Sequence, residues 1–201
     1  MAVMTCMLLT AVGRVDFGVD PDTVDIRPDP PCCDVDEFEA SLSRQYAYFI
    51  RNARNIRFMT SAAHRVKNKK DWGLDSQIVA YNAASSKWSD ELPPDLQQSM
   101  PADGSLPWLP SHFIGQLHSH YHLGVIMLHR AQLVASQSDS ASKHHMSLCY
   151  NSAKNVCRLQ EAILETFGLP ALFCMQRGIN FTIYVVSACT MIHLVSCFGN
   201  V

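Results

Sequence analysis

Charge is scarce in this chain, and neither sign prevails. Of 201 residues only 17% are Asp, Glu, Lys or Arg, 16 bases against 18 acids, for a formal net charge of −2. A stand-alone nucleic-acid binder draws most of its affinity from neutralised phosphates and is normally strongly basic, which argues against that class for this chain by itself. Catalytic signatures are missing too: there is no G-x-S-x-G, no Walker glycine loop, no G-x-G-x-x-G and no H-E-x-x-H. Strand pairs joined by hairpin turns are also missing, because Gly and Asn fall at the ends of helical patterns. None of the eight cysteines (Cys6, Cys32, Cys33, Cys149, Cys157, Cys174, Cys189, Cys197) stands in a C-x-x-C pair. Five of them fall in apolar helix-like stretches, where a free thiol behaves as a small hydrophobe. The expectation is a reduced, intracellular protein.

Apolar residues, at 48%, are plentiful enough for a sizeable core. Their spacing predicts an all-α, multi-helix domain without a sheet of consequence, read as a single partial helical domain over 1–201. Asp36 is the expected N-cap of a first helix whose stripe runs through Phe38, Leu42, Tyr46, Phe49, Ile50, Ala53, Ile56 and Ala63. A second helix opens at Asp75, passes Trp88 and must stop at Pro93-Pro94. Three more are expected over about 111–135, 140–167 and 175–198, with Gly168 and Pro170 closing the middle one. A Pro-rich loop occupies 91–111, long enough to suggest a functional or variable segment.

Charge is unevenly placed. Residues 16–39 hold nine acids against Arg27, and their prolines mark 16–35 as an acidic, Pro-rich connection. Residues 51–70 carry seven bases and no acid. The simplest expectation is that the two segments neutralise each other; the alternative is a basic patch for DNA or a partner. Met1 to Val12 is apolar but makes a poor signal peptide, having no basic start and no small-residue cleavage site. Phe181–Phe198 is apolar over nearly the length of a bilayer core. It reads as a helix buried on all sides of a large helical domain, the rival being a tail anchor.

One run invites a metal. His118, His120 and His122 alternate along the third long helix, with His129 beyond them. On a helix His118 and His120 point about 200° apart, whereas His118 and His122 share a face. His129 lies about 10 Å further along the axis, out of reach of metal bonds of about 2.1 Å. A small metal-dependent hydrolase on His118, His120 and His122 is thus an alternative that lacks further ligands. His144-His145 is a second pair with no assigned role. No catalytic, cofactor-binding or metal-ligating residue is nominated.

The stretch from Trp88 onward carries a resemblance. Trp88, Leu92, Pro93 and Leu96 stand as W-x-x-x-L-P-x-x-L; Leu117, His118 and Tyr121 follow, then Ile126, Leu128, His129, Arg130 and Leu133. Cys149, Ser152, Ala153 and Val156 form a C-x-x-[SA]-A-x-x-V helix, and an apolar helix covers 176–194. Together, over 75–197, these elements resemble the fungal-specific transcription factor domain, the middle homology region of fungal binuclear zinc-cluster regulators. The resemblance implies a regulatory, non-catalytic domain of a nuclear transcription factor acting on RNA polymerase II target genes. It further implies transcription machinery or co-regulators as partners, a small-molecule inducer, a homodimer and no membrane. DNA binding and zinc would belong to a C-x2-C-x6-C cluster that this chain does not contain. Ala131 stands where the family usually has proline. The apolar start at Met1 and the end at Val201 read as cuts through a larger domain, which would leave Ile192, Val195 and Phe198 uncovered. The expectation is a fragment, or a protein without its cluster.

Overall fold

The Asp36 carboxylate accepts the backbone N–H of Phe38 at 2.5 Å, and the Asp36 carbonyl takes the first helical bond, from Ala40 at 2.9 Å. That cap starts helix α1, Glu37–Arg65, with Glu37 and Glu39 in the first turn facing the positive end of the helix dipole. The computed structural model describes residues 36–65, 76–135, 139–173 and 179–198. Among these the regular secondary structure is all helical: α2 (Ser76–Asp90), α3 (His112–Ala135), α4 (Asp139–Phe167), a 3-10 turn (Leu169–Phe173) and α5 (Ile179–Phe198), with an irregular segment over 91–111 and no strand. The all-α architecture is thereby established. The helices group into two compact units: α1 and α2 with the chain as far as Gln97, and α3 to α5 with the chain from Gln98.

In the first unit α1 contributes Phe49, Ala53, Ile56 and Met59 to the interior, at three- and four-residue spacing. From α2 come Ile78, Tyr81 and Trp88, and from the segment after it Leu92 and Leu96. Burying a large aliphatic or aromatic side chain is worth about 1.5–3 kcal/mol, so these residues hold the pair together. The Trp88 indole N–H donates to the Tyr48 carbonyl at 2.9 Å, fixing the register of α2 on α1. After α2 the two prolines turn the chain, with Leu96 and Gln97 N–H groups both bonding the Pro93 carbonyl. Arg44 pairs with Asp95 at 2.7 Å and Arg51 with Glu91 at 3.4 Å. Both pairs are substantially exposed and worth at most about 1 kcal/mol each. These bases are thus answered within their own unit. The acidic connection at 16–35, Met1–Val12 and the bases at 66–70 lie outside the described residues, as do Cys6, Cys32, Cys33 and Cys174. The start of the α1 stripe departs from expectation: Phe38, Leu42 and Tyr46 are exposed, because the buried stripe runs from Ala47 onward.

In the second unit α3 begins where the Ser111 hydroxyl accepts the Ile114 N–H at 3.4 Å. Its most extensive partner is α4, which pairs in turn with α5. Gly115 permits a close approach, for a Cβ there would meet Ile163 Cγ1 and Cδ1 at 2.8 Å and Leu109 Cδ1 at 2.9 Å. Gly168, at φ +76°, ends α4 in a left-handed conformation that suits glycine, and its N–H bonds the Leu164 carbonyl at 3.0 Å. The Pro-rich segment is not loose. Met100, Leu106 and Leu109 pack on Leu159, Ala162, Ile163 and Ala171. Arg158 of α4 donates to the Pro101 carbonyl at 2.9 Å and to the Ser105 carbonyl. Asp103 closes a small turn by accepting the Ser105 N–H and hydroxyl.

The final helix needs a correction. Thr182, Val185, Cys189 and Ile192 of α5 are buried, Val185, Cys189 and Ile192 in a cluster with Leu123 and Ile126 of α3 and Cys149, Ala153 and Val156 of α4. Ile183, Val186, Met191, Leu194 and Val195 are exposed. The helix is thus buried on one side, not on all sides, because only that side meets α3 and α4. Ile192, expected to be uncovered, is only 4% exposed, and Val195 is 48% exposed. The Phe198 side chain lies outside the described residues. Among the described residues no helix is long and apolar enough to cross a membrane.

Candidate functional site

Several histidines and cysteines of the second unit lie where α3, α4 and α5 meet. On α3, Ile114 through His120 are all buried, so the histidine run enters an interior. His118 and His122 lie close enough for their charges to repel, as the four-residue spacing requires. Burial, then that repulsion, pushes the His122 pKa down to about 3. His120 turns toward α5, its ring tilted 32° against Phe181 at 5.6 Å, and burial pushes its pKa down to about 4. The run is therefore divided between two sides of the helix. Among the described residues no group of three or more His, Cys, Asp or Glu is arranged to hold a metal ion. Burial favours the neutral form of the His120 and His122 rings.

Further along α3, His129 meets His145 of α4. The rings stack 24° from parallel at 5.2 Å, with Nδ1 to Nδ1 only 3.0 Å apart. One Nδ1 must carry a proton and donate it to the lone pair of the other, so the two rings cannot both be protonated at Nδ1 in this arrangement. Burial, followed by the neighbouring His145 and His144, holds His129 at about 4. Burial and His144 lower His145 as well. His129 is buried and also bonds across helices; Arg130 is exposed.

Between α3 and α4 lies a buried polar network. The Gln160 amide donates to Ser119 Oγ at 2.8 Å and to Gln116 Oε1 at 3.3 Å, while the Ser119 hydroxyl donates to the Gly115 carbonyl at 2.8 Å. Gln116 Nε2 and Gln160 Oε1 are buried without a hydrogen-bond partner.

A third constellation was not nominated by the sequence reading. Cys157 of α4 is exposed, and its sulfur lies 4.0 Å from Nε2 of His193 on α5. Cys189, one turn before His193, is fully buried and its thiol hydrogen-bonds Cys157. The ring of Tyr150, two turns before Cys157 on α4, meets the His193 ring edge-on at 5.2 Å. The bond from Cys189, reinforced by His193, pulls the Cys157 thiol down to about 6; the same bond and burial push Cys189 up. Cys149 differs from this pair: burial pushes it up to about 11 and its sulfur reaches the Ile126 carbonyl at 3.8 Å. The i, i+4 spacing of Cys189 and His193 was the available signal, but its meaning depends on Cys157, which joins them only through helix pairing.

The residues carrying the family resemblance also have clear positions. Trp88, Leu92 and Leu96 are 2%, 3% and 0% exposed, and Leu117, Ile126, Leu128, Cys149, Ala153 and Val156 are equally enclosed. They are the packing residues of their units. No family model matches the chain, nor does any curated protein or solved structure.

Proposed function

We propose that this chain is a regulatory, non-catalytic helical module of a fungal-type transcription factor, acting in the nucleus on genes read by RNA polymerase II. One observation supports the reading best: most of the apolar residues that carry the resemblance, from Trp88 to Val156, are buried within their units. Such a pattern supports a packing role for these residues, as suits a domain that works by changing its packing. In this mechanism a small-molecule inducer or a co-regulator binds one of two helix arrangements more tightly and so shifts the balance between them. DNA would be read by a zinc cluster elsewhere in the factor.

The test fuses residues 1–201 to an unrelated DNA-binding domain upstream of a reporter. Reporter output should change relative to the DNA-binding domain alone, and L117A, which opens the interior of α3, should abolish the change. Equal output with and without the chain across growth conditions would overturn the proposal.

A further inference from the structure

Exposed and enclosed sulfur meet at one point of the α4–α5 pair. Cys157 is open to small solutes, whereas Cys189 is 0% exposed and reaches no solvent, yet the two thiols share a hydrogen bond. His193 faces Cys157 at 4.0 Å, and its ring is held edge-on by Tyr150 on the other side. The two helices run in opposite directions, so Tyr150 and Cys157 meet His193 and Cys189 in reversed order along the chain. Cys197 is also exposed, but it lies eight residues past Cys189, about 12 Å along the axis. Cys189 packs in one cluster with Ala153 and Val156 of α4, and His193, one turn further along α5, reaches the Cys157 sulfur, so Cys157 and Cys189 stand at the same level of the helix pair.

We infer that Cys157 and Cys189 form a peroxide-sensitive dithiol in which Cys157 attacks, Cys189 resolves and His193 acts as a positioning residue for the Cys157 thiolate. The oxidant is hydrogen peroxide. The Cys157 thiolate attacks one peroxide oxygen, the O–O bond breaks, and the departing hydroxide takes a proton and leaves as water. Cys157 is then a sulfenic acid. Cys189 gives up its proton and attacks the Cys157 sulfur; the S–OH bond breaks, and hydroxide leaves with that proton as a second water. The two sulfurs surrender two electrons, one peroxide is reduced to two waters, and the product is a covalent tie between α4 and α5. The division of access suits this order: peroxide meets Cys157 first, and the enclosed Cys189 is poised to resolve the intermediate before further oxidation. This inference is independent of the transcriptional reading.

The experiment uses the full chain. Iodoacetamide alkylation of Cys157, followed by peptide mass spectrometry, should have its pH midpoint near 6 and proceed about ten-fold faster at pH 6 than that of a model-peptide cysteine with the ordinary pKa of about 8.5, after allowing for the weaker nucleophilicity of a low-pKa thiolate. H193Q should move that midpoint upward while leaving the helical spectrum unchanged. A two-fold excess of hydrogen peroxide should then link the Cys157 and Cys189 peptides within one molecule. In C189A the reaction should stop at a sulfenic acid that dimedone traps on Cys157. An alkylation midpoint near 8.5 would overturn the inference, as would peroxide products joining Cys157 to another cysteine or to a second molecule. Both readouts on the unmutated chain decide the matter even if C189A folds poorly.

Discussion

Mild acid should destabilise the second unit, and His120 allows the size of the effect to be worked out. The ring is 4% exposed, lies against Phe181 and has its pKa pushed down to about 4 by burial. In the unfolded chain the same ring titrates near 6.5, so between these values the unfolded state takes up a proton that the folded state refuses. Its contribution is therefore complete above about pH 6.5 and shrinks as pH falls, becoming constant below about 4. At pH 5 the unfolded ring is about 97% protonated and the folded ring about 10%, which costs about 2 kcal/mol relative to pH 8; the limit below pH 4 is about 3 kcal/mol. Urea unfolding followed by circular dichroism at pH 8 and pH 5 measures this difference. H120F keeps a ring against Phe181 and cannot titrate, so its loss between the two pH values should be about 2 kcal/mol smaller than that of the unmutated chain, whatever its stability at pH 8. Equal losses in both proteins would refute the reasoning. His122 and His129, held at about 3 and about 4, push in the same direction and steepen the dependence common to both proteins.

G115A should destabilise by about 1–2 kcal/mol in a thermal melt, since overpacking Ile163 and Leu109 outweighs the roughly 1 kcal/mol gained in helix propensity. I163V should relieve part of that loss in the double variant. L96A empties a fully enclosed position in the first unit and should cost about 2–5 kcal/mol in urea. R158M removes the donor that holds the Pro101 and Ser105 carbonyls, so limited proteolysis should cut within 98–111 several-fold faster while helix content is retained.

Local chemistry made the helix boundaries legible. Asp36, the Pro93-Pro94 pair and Gly168 act on their immediate neighbours, and each starts or stops a helix within a residue or two of where the pattern places it. The sides of α5 were not legible, because a helix apolar all round shows no direction until its neighbours are known. Ile183 and Val185 are similar in composition, and only packing makes one exposed and the other buried. The same reason hid the His129–His145 stack and the Cys157–His193 approach, whose members are 16 and 36 residues apart and join through helix pairing. The histidine run was read correctly in one respect: His118 and His122 share a side while His120 faces elsewhere. The enclosure of that helix depends on tertiary structure and had no local signature.

The clamp of Arg158 on the Pro-rich segment has a consequence for the order of folding. Helices α3, α4 and α5 pair with their neighbours along the chain, so most of their meeting points span short stretches and close quickly. The Arg158–Pro101 bond spans 57 residues and needs α4 already formed to present its guanidinium. The segment before α3 is therefore expected to settle onto the unit last, latching an assembled helix pair instead of nucleating it. Substitutions at Arg158 should accordingly speed unfolding and leave the refolding rate nearly unchanged.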